Sequence, residues 1–471
     1  MQKDHHSSEK LVRVLARGDV LALAFGAMVG WGWIVLTGGI IEDAGSLGGI
    51  IAFFLGGLAI LLIGLTYAEL ASAMPKVGGE HAYSYRAMGH LPSFICTWAI
   101  ILGYLSVVSF ESVALPTVIQ NLIPGYSVGH MWNIAGWEVK ATWVAVGMCG
   151  SLIMMAINYV GIRTAALLQK MVIILILVAG VLFMTGALFE GEVSNMTPLF
   201  SQAESGATAG ILSVLVLVPF LFVGFDVIPQ AAEEINLPYR SIGKVLIISV
   251  VLAVAWYSMI ILATSMALDE KALSESLLSV PSAMQALFNT PWAEKLMILA
   301  GIAGIITSWN AFYIGGSRAI YALAHAGMLP AVFSKLHPKY KTPTNAILLM
   351  GLLSSAAPLF GRPAMVWIVE AGGLGIVIAY LFVSLSFVIL RIREPDMPRP
   401  FRIRYGKTCG VIATVLSFAL GCLYLPGSPS ALTGIEWAIF LFWALIGIAM
   451  YIFSRKKYGV DYSDSAMRSA S

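Results

Sequence analysis

The chain has 471 residues, of which 59% are hydrophobic and only 11% charged, with a net charge of +3. A soluble domain carries roughly 25% charged residues, so an ordinary soluble enzyme and a disordered chain are excluded, and nothing in the charge points to a nucleic-acid partner. A mean hydropathy of +0.86 leaves a polytopic α-helical membrane protein, embedded in the lipid bilayer.

Residues 1–19 form a polar tail with Lys3, Lys10, Arg13 and Arg17. No short apolar segment with a small-residue cleavage site follows, so no cleaved signal peptide is expected. A spanning helix needs about 20 mostly apolar residues, and twelve runs are read as spans. The first six are Val20–Ile41, Leu47–Met74, Leu91–Leu122, Ala141–Val160, Thr164–Phe189 and Ala207–Ala232. The second six are Ile242–Leu268, Ala293–Ala326, Thr344–Leu359, Ala364–Leu390, Thr408–Leu425 and Ser430–Phe453. The segment Leu268–Trp292, with Asp269, Glu270, Leu273, Leu277, Leu278 and Met284, reads in part as an amphipathic helix over one face. With both ends placed in the cytoplasm, 24 of the 28 Lys and Arg fall on the cytoplasmic side. Lys140, Lys271, Lys295 and Arg362 fall on the other. This asymmetry fits the positive-inside rule. It predicts cytoplasmic termini, the second being a polar tail over 454–471.

Two spans carry helix-breaking residues. The first holds Gly26, Gly30, Gly32, Gly38 and Gly39, five glycines in fourteen residues, each costing about 1 kcal/mol against alanine in a helix. The sixth holds Pro219, Gly224, Asp226 and Pro229 in an apolar run; proline removes a backbone donor and clashes with the preceding turn. Close packing of a glycine-rich helix and a proline kink are the plain alternatives. Yet the two breaks open matching blocks of five spans, 20–189 and 207–390, and an odd number of spans per block inverts one against the other. Interrupted spans at corresponding places in two halves point to a transporter site at the bilayer midplane. One half-helix end can hold a carboxylate and the other an amine.

Several motifs sharpen this. Gly26, Val29, Gly30 and Gly32 form a Gly-x-x-Val-Gly-x-Gly element. Glu69-Leu70 followed by Pro75, Gly78, Gly79 and Tyr83 gives E-L-x-x-x-x-P-x-x-G-G-x-x-x-Y. The sixth span reads Gly224-Phe225-Asp226 and later Ala231-Ala232-Glu233-Glu234, and the eighth ends Ser317-Arg318, Tyr321-Ala322 and Gly327-Met328-Leu329-Pro330. Over nearly its whole length the sequence resembles the amino acid–polyamine–organocation (APC) superfamily, of the bacterial amino acid permease type. The resemblance implies an all-α fold with twelve transmembrane helices, a LeuT-like 5+5 inverted repeat and two appended helices over 408–453. It implies a substrate held between the two breaks. Backbone at Val29, Gly30, Trp31 and Gly32 would face the substrate carboxylate, and Phe220, Val223 and Gly224 would supply the other side, with Phe220 capping the substrate. This chain departs from the family in carrying Trp31 and Trp33 where many relatives have smaller residues or Phe, so the break is expected to shrink the pocket or to stack against the substrate. It also has Ile176 where some relatives carry a lysine, with Lys170 nearby read as an interfacial, snorkelling residue.

An ionisable residue inside a membrane is a functional candidate. Glu111 in the third span and Asp226 at the sixth-span break are candidates for proton coupling or for pairing with a substrate amine. For Asp226 a structural helix cap is the alternative, and for Glu111 hydrogen bonding in an outer vestibule. Tyr104 is a further lining candidate. Thr307 and Ser308 are candidate cation ligands, though hydroxyls in membrane helices commonly bond their own backbone. Glu69, Glu80, Arg86, Glu233, Glu234 and Arg318 are expected as inner-gate ion pairs and caps, and Glu370 and Glu436 as hydrated outer residues. The four cysteines and seven histidines show no metal-ligand spacing within a span. No metal, cofactor or catalytic residue is therefore expected, and neither a membrane enzyme nor a channel is favoured. The expected protein is a secondary transporter of an amino acid in a bacterial cytoplasmic (inner) membrane, as a monomer or weak homodimer. It would work by alternating access, with proton symport or exchange, and sodium as the other coupling ion. The alternative substrate is an amine, polyamine or amino acid derivative lacking the usual carboxylate.

Overall fold

The structure is a computed structural model, and it describes residues 11–202, 206–276, 278–428 and 431–458. The described chain is mostly helical. Helix α1 is Arg17–Met28, followed by α2 (Gly32–Val35) and α3 (Thr37–Ala44). Then come α4 (Ser46–Ala73), α5 (Glu80–Met88) and α6 (His90–Leu122). A hairpin of β1 (His130–Ile134) and β2 (Trp137–Lys140) precedes α7 (Ala141–Val160) and α8 (Ile162–Glu190). The second half contains α9 (Gly206–Phe222), α10 (Val227–Gln230), α11 (Tyr239–Ala267), α12 (Glu270–Glu275) and α13 (Ser279–Phe288). It closes with α14 (Pro291–His325), α15 (Thr344–Ala356), α16 (Ala364–Arg393), α17 (Gly406–Cys422) and α18 (Gly434–Tyr458).

Among the described residues ten helical segments are long and apolar enough to cross a bilayer. Two more apolar helices, Thr344–Phe360 and Gly406–Cys422, are shorter. At 1.5 Å per residue, the 13 residues of α15 reach about 20 Å, against a hydrocarbon core of about 30 Å. A 3-10 turn over Ala357–Phe360 extends it.

Both expected breaks are present. The first span stops at Met28 and resumes at Gly32, with Val29 at φ −101°, ψ 60°. The sixth stops at Phe222 and resumes at Val227. Gly224 sits there at φ +136°, a region L side chains rarely adopt. A Cβ on it would lie 2.6 Å from Ala27 Cβ and 2.9 Å from Met28 N. The two breaks therefore cross in direct contact. Helix α1 packs against α14, α11 and α8, and α14 also packs against α6, which places the breaks at the centre of the bundle.

Three local expectations change. The amphipathic segment is two helices rather than one: α12, capped by Asp269 Oδ1 accepting from Ala272 N at 2.8 Å, and α13, which buries Val280, Ala283, Met284 and Leu287. Leu277 lies outside the described residues, as do residues 1–10 and 459–471 of the two expected tails. Lys170 is not simply snorkelling, since it pairs with Asp19 at 2.6 Å. Glu436 is not hydrated: it is buried, and its carboxylate accepts the Thr433 N–H at 2.5 Å.

Candidate transport site

The breaks leave backbone groups without helical partners, and neighbouring side chains take them up. Tyr257 of α11 donates its hydroxyl to Met28 O at 2.9 Å. Asp226 Oδ1 accepts the Gly224 N–H at 2.6 Å, and Oδ2 accepts the Tyr104 hydroxyl at 2.9 Å. Asp226 thus closes the turn at the break and ties it to α6. Its side chain does not cap α10.

A small central cavity lies between the breaks, lined by Gly30, Trp31, Gly32, Glu111, Phe220, Val223 and Ser308. Its volume is about 20 Å³, room for about one water. Of the residues singled out in the sequence, Val29, Tyr104, Gly224, Asp226 and Thr307 do not line it. Thr307 gives its hydroxyl to Gly304 O at 2.8 Å, within its own helix. Sequence reasoning missed other lining residues: Val107 and Phe110 of α6, Tyr257 of α11 and Phe312 of α14. They sit in plain apolar runs, and only the third-span location of Glu111 hinted at the α6 face. Phe220 packs edge-on against Phe110, centroids 5.8 Å apart.

A second, larger cavity of about 370 Å³ opens on the face that carries the β-hairpin, bounded by Gln120, Asn121, Trp137, Lys140, Trp143 and Arg362. This is within the size range of small-molecule pockets. Trp31 lines both cavities and is 1% exposed. Its indole is the partition between vestibule and centre. It packs against Gly301, where a Cβ would come within 2.2 Å of its ring.

The opposite face is sealed. Arg318 donates from Nε and Nη2 to the two carboxylate oxygens of Glu234 at 2.9 and 3.0 Å, with both side chains buried. Glu69 accepts from Arg391 at 2.5 Å and pairs with Arg399 at 3.1 Å. Glu233 accepts the Val77 N–H, and Arg86 pairs with Glu394 at the surface. The N-terminal segment adds a clasp: Val14 and Leu15 N–H donate to Glu234 O, and Asn236 N–H donates to Leu15 O. Glu80, the first residue of α5, is buried and accepts from the Gln230 side-chain amide. Burial pushes its carboxyl well above the ordinary range. The sequence also gave no sign of a buried amide chain in which Asn158 donates to Asn310, Asn310 to Gln169, and Gln169 to Ala22 O. That chain ties α7, α14, α8 and α1 together. Among the described residues no group of three or more His, Cys, Asp or Glu is placed to hold a metal ion.

The profile of the family described as amino acid permease matches residues 18–453. The chain belongs to the amino acid permease family. Similar proteins include the branched-chain amino acid permease BcaP of Bacillus subtilis (strain 168), 30% identical over 463 residues, spanning 96% of this chain and 95% of that one. The methylthioribose transporter of the same organism is 25% identical over 455 residues, 95% of each chain. Its aspartate-proton symporter is 26% identical over 412 residues, 85% of this chain and 77% of that one. This permease is accordingly a multi-pass membrane protein of the APC superfamily, and these relatives are named as transporters rather than enzymes.

Proposed function

We propose that the protein is a secondary transporter that moves a small amino compound across a bacterial cytoplasmic membrane by alternating access. The observation that carries this is the crossing of two interrupted helices, at Gly224 against Ala27 and Met28, beside a cavity with a vestibule on one side and ion pairs on the other. In this reading the chain has twelve spans, with the inverted blocks 20–189 and 207–390 and helices 11 and 12 over 408–453. Both tails, 1–19 and 454–471, are cytoplasmic. The vestibule then faces outward, and the Arg318–Glu234 seal faces the cytoplasm.

Gly30, Trp31, Gly32, Phe220 and Val223 contact the solute. Val29, Gly224, Asp226 and Tyr104 shape the breaks around it. Glu111, Asp226, Thr307 and Ser308 are the coupling candidates. The name of one relative supports proton symport, and exchange is the alternative. Two relatives are named for amino acids, which supports an amino acid as the solute. One is named for methylthioribose, which is not an amino acid, and the Glu111 geometry favours a solute without a carboxylate. The test is flux: purified protein in liposomes, with and without a proton gradient, against counterflow from solute-loaded vesicles. Uptake driven by the gradient supports symport, and counterflow alone supports exchange. No flux of any amino acid or amine overturns the proposal.

A further inference from the structure

Glu111 projects from α6 into the break of the first span. It is 2% exposed. A Cβ built on Gly30 would lie 3.0 Å from Glu111 Oε1 and 2.8 Å from Ser308 Oγ, so the carboxylate rests directly on the backbone of the break. Ser308 donates its hydroxyl to Oε1, and the backbone N–H of Trp31 faces the same carboxylate. The second oxygen, Oε2, has no hydrogen-bond partner among the described residues. Glu111 is the only acidic or basic side chain lining the central cavity, and no Lys, Arg or His pairs with it among the described residues. The remaining wall is aromatic and aliphatic: Phe110, Phe220, Phe312, Tyr257, Val107 and Val223.

We infer that Glu111 is the resident carboxyl at the first-span break, in the place the family resemblance would give to a substrate carboxylate, and that the solute is an amine cation without a free α-carboxylate. This rests on the cleft between the breaks being the transport site. A zwitterion would bring a second carboxyl group against the first in a small cavity whose lining holds no cation to pair with it. An amine cation supplies what the cavity lacks. Its N–H groups satisfy Oε2, its charge pairs with the carboxylate, and the rings around it favour a cation over their faces.

The experiment uses the full-length purified protein and matched pairs of probes: leucine and isoamylamine, lysine and cadaverine, phenylalanine and phenethylamine. Binding is read by thermal stabilisation and by calorimetry. The inference expects at least one amine to bind about tenfold or more tighter than its parent acid. It expects Glu111→Gln to weaken that amine by at least about tenfold, with Glu111→Asp intermediate. An acid that binds while its amine does not overturns it, as does amine binding unchanged in Glu111→Gln, or no binding by any amine in the series. The comparison on the wild-type protein stands even if a variant fails to fold. Liposome flux separates the two levels: transport of an acid with no amine binding overturns the solute class and leaves the transporter reading intact. Flux of neither overturns both.

Discussion

Gly224 is held at φ +136° with its α-carbon against Ala27 and Met28. A methyl group there meets backbone as well as a side chain, so neither partner can swing away. Strained backbone costs about 1–3 kcal/mol and overpacking about 1–3 kcal/mol more. Gly224→Ala is therefore expected to lose on the order of 2–6 kcal/mol and to separate the two breaks. A melting curve in detergent checks the first and solute flux the second, and a variant with wild-type melting would contradict the account. Glu80 gives a pH signature. In the folded protein burial holds its proton above the ordinary carboxylate range, so the folded state binds more protons than the unfolded one as pH rises past about 4.5. Stability from this group is therefore greatest in acid and declines with rising pH. Glu80→Gln should flatten the dependence of melting temperature on pH between about pH 5 and about pH 8; an unchanged slope counts against it.

At the scale of elements, the hairpin offers a clean test. Its turn, Ala135-Gly136, has φ of +48° and +79°, the pattern of a type I′ turn. Ala135 bears a left-handed conformation that costs about 1–2 kcal/mol for an L-residue. Ala135→Asn, a residue suited to that region, is expected to raise stability by about 0.5–1 kcal/mol and leave flux unchanged. The same hairpin shows where sequence reading stops. Long apolar runs and their glycine and proline interruptions were legible, because hydropathy and helix-breaking are local properties. The observed breaks at Val29–Trp31 and Val223–Asp226 fall inside the segments expected. The hairpin was not legible, since Ala-Gly is a weak turn signal beside Asn-Gly. Helix α5 was hidden because His81, Ser84 and Arg86 read as loop, and it is held by tertiary contacts such as Ser93 Oγ with His81 O. Glu111 was visible as a buried acid, but its seat against Gly30 and Ser308 depends on how α6, α14 and the break pack.

For the whole molecule, the proposed alternating access makes the asymmetry between an open vestibule and a sealed opposite face one of two states. Arg318 and Glu234 are both buried in that seal. Removing one partner strands a buried charge, at about 3–5 kcal/mol, in the sealed state alone. Arg318→Ala should thus populate the other state, seen as increased labelling of a cysteine introduced at Val77. The pair Arg318→Met with Glu234→Leu should restore part of the closure, because an apolar replacement leaves no unpaired charge. Equal labelling of Arg318→Ala and the parent protein would argue against this role.

The clasp of Val14 and Leu15 on Glu234 and Asn236 also bears on how the molecule is made. Its two sides are separated by more than two hundred residues of chain. During synthesis the first span is made long before Glu234 leaves the ribosome, so the Val14–Leu15 segment waits without this partner while the intervening helices are made. The clasp closes only when the sixth span arrives, although α1 can already pack on α8. Nascent chains stalled before Glu234 should therefore be cut readily near Leu15 by added protease, and chains stalled well beyond Asn236 should resist.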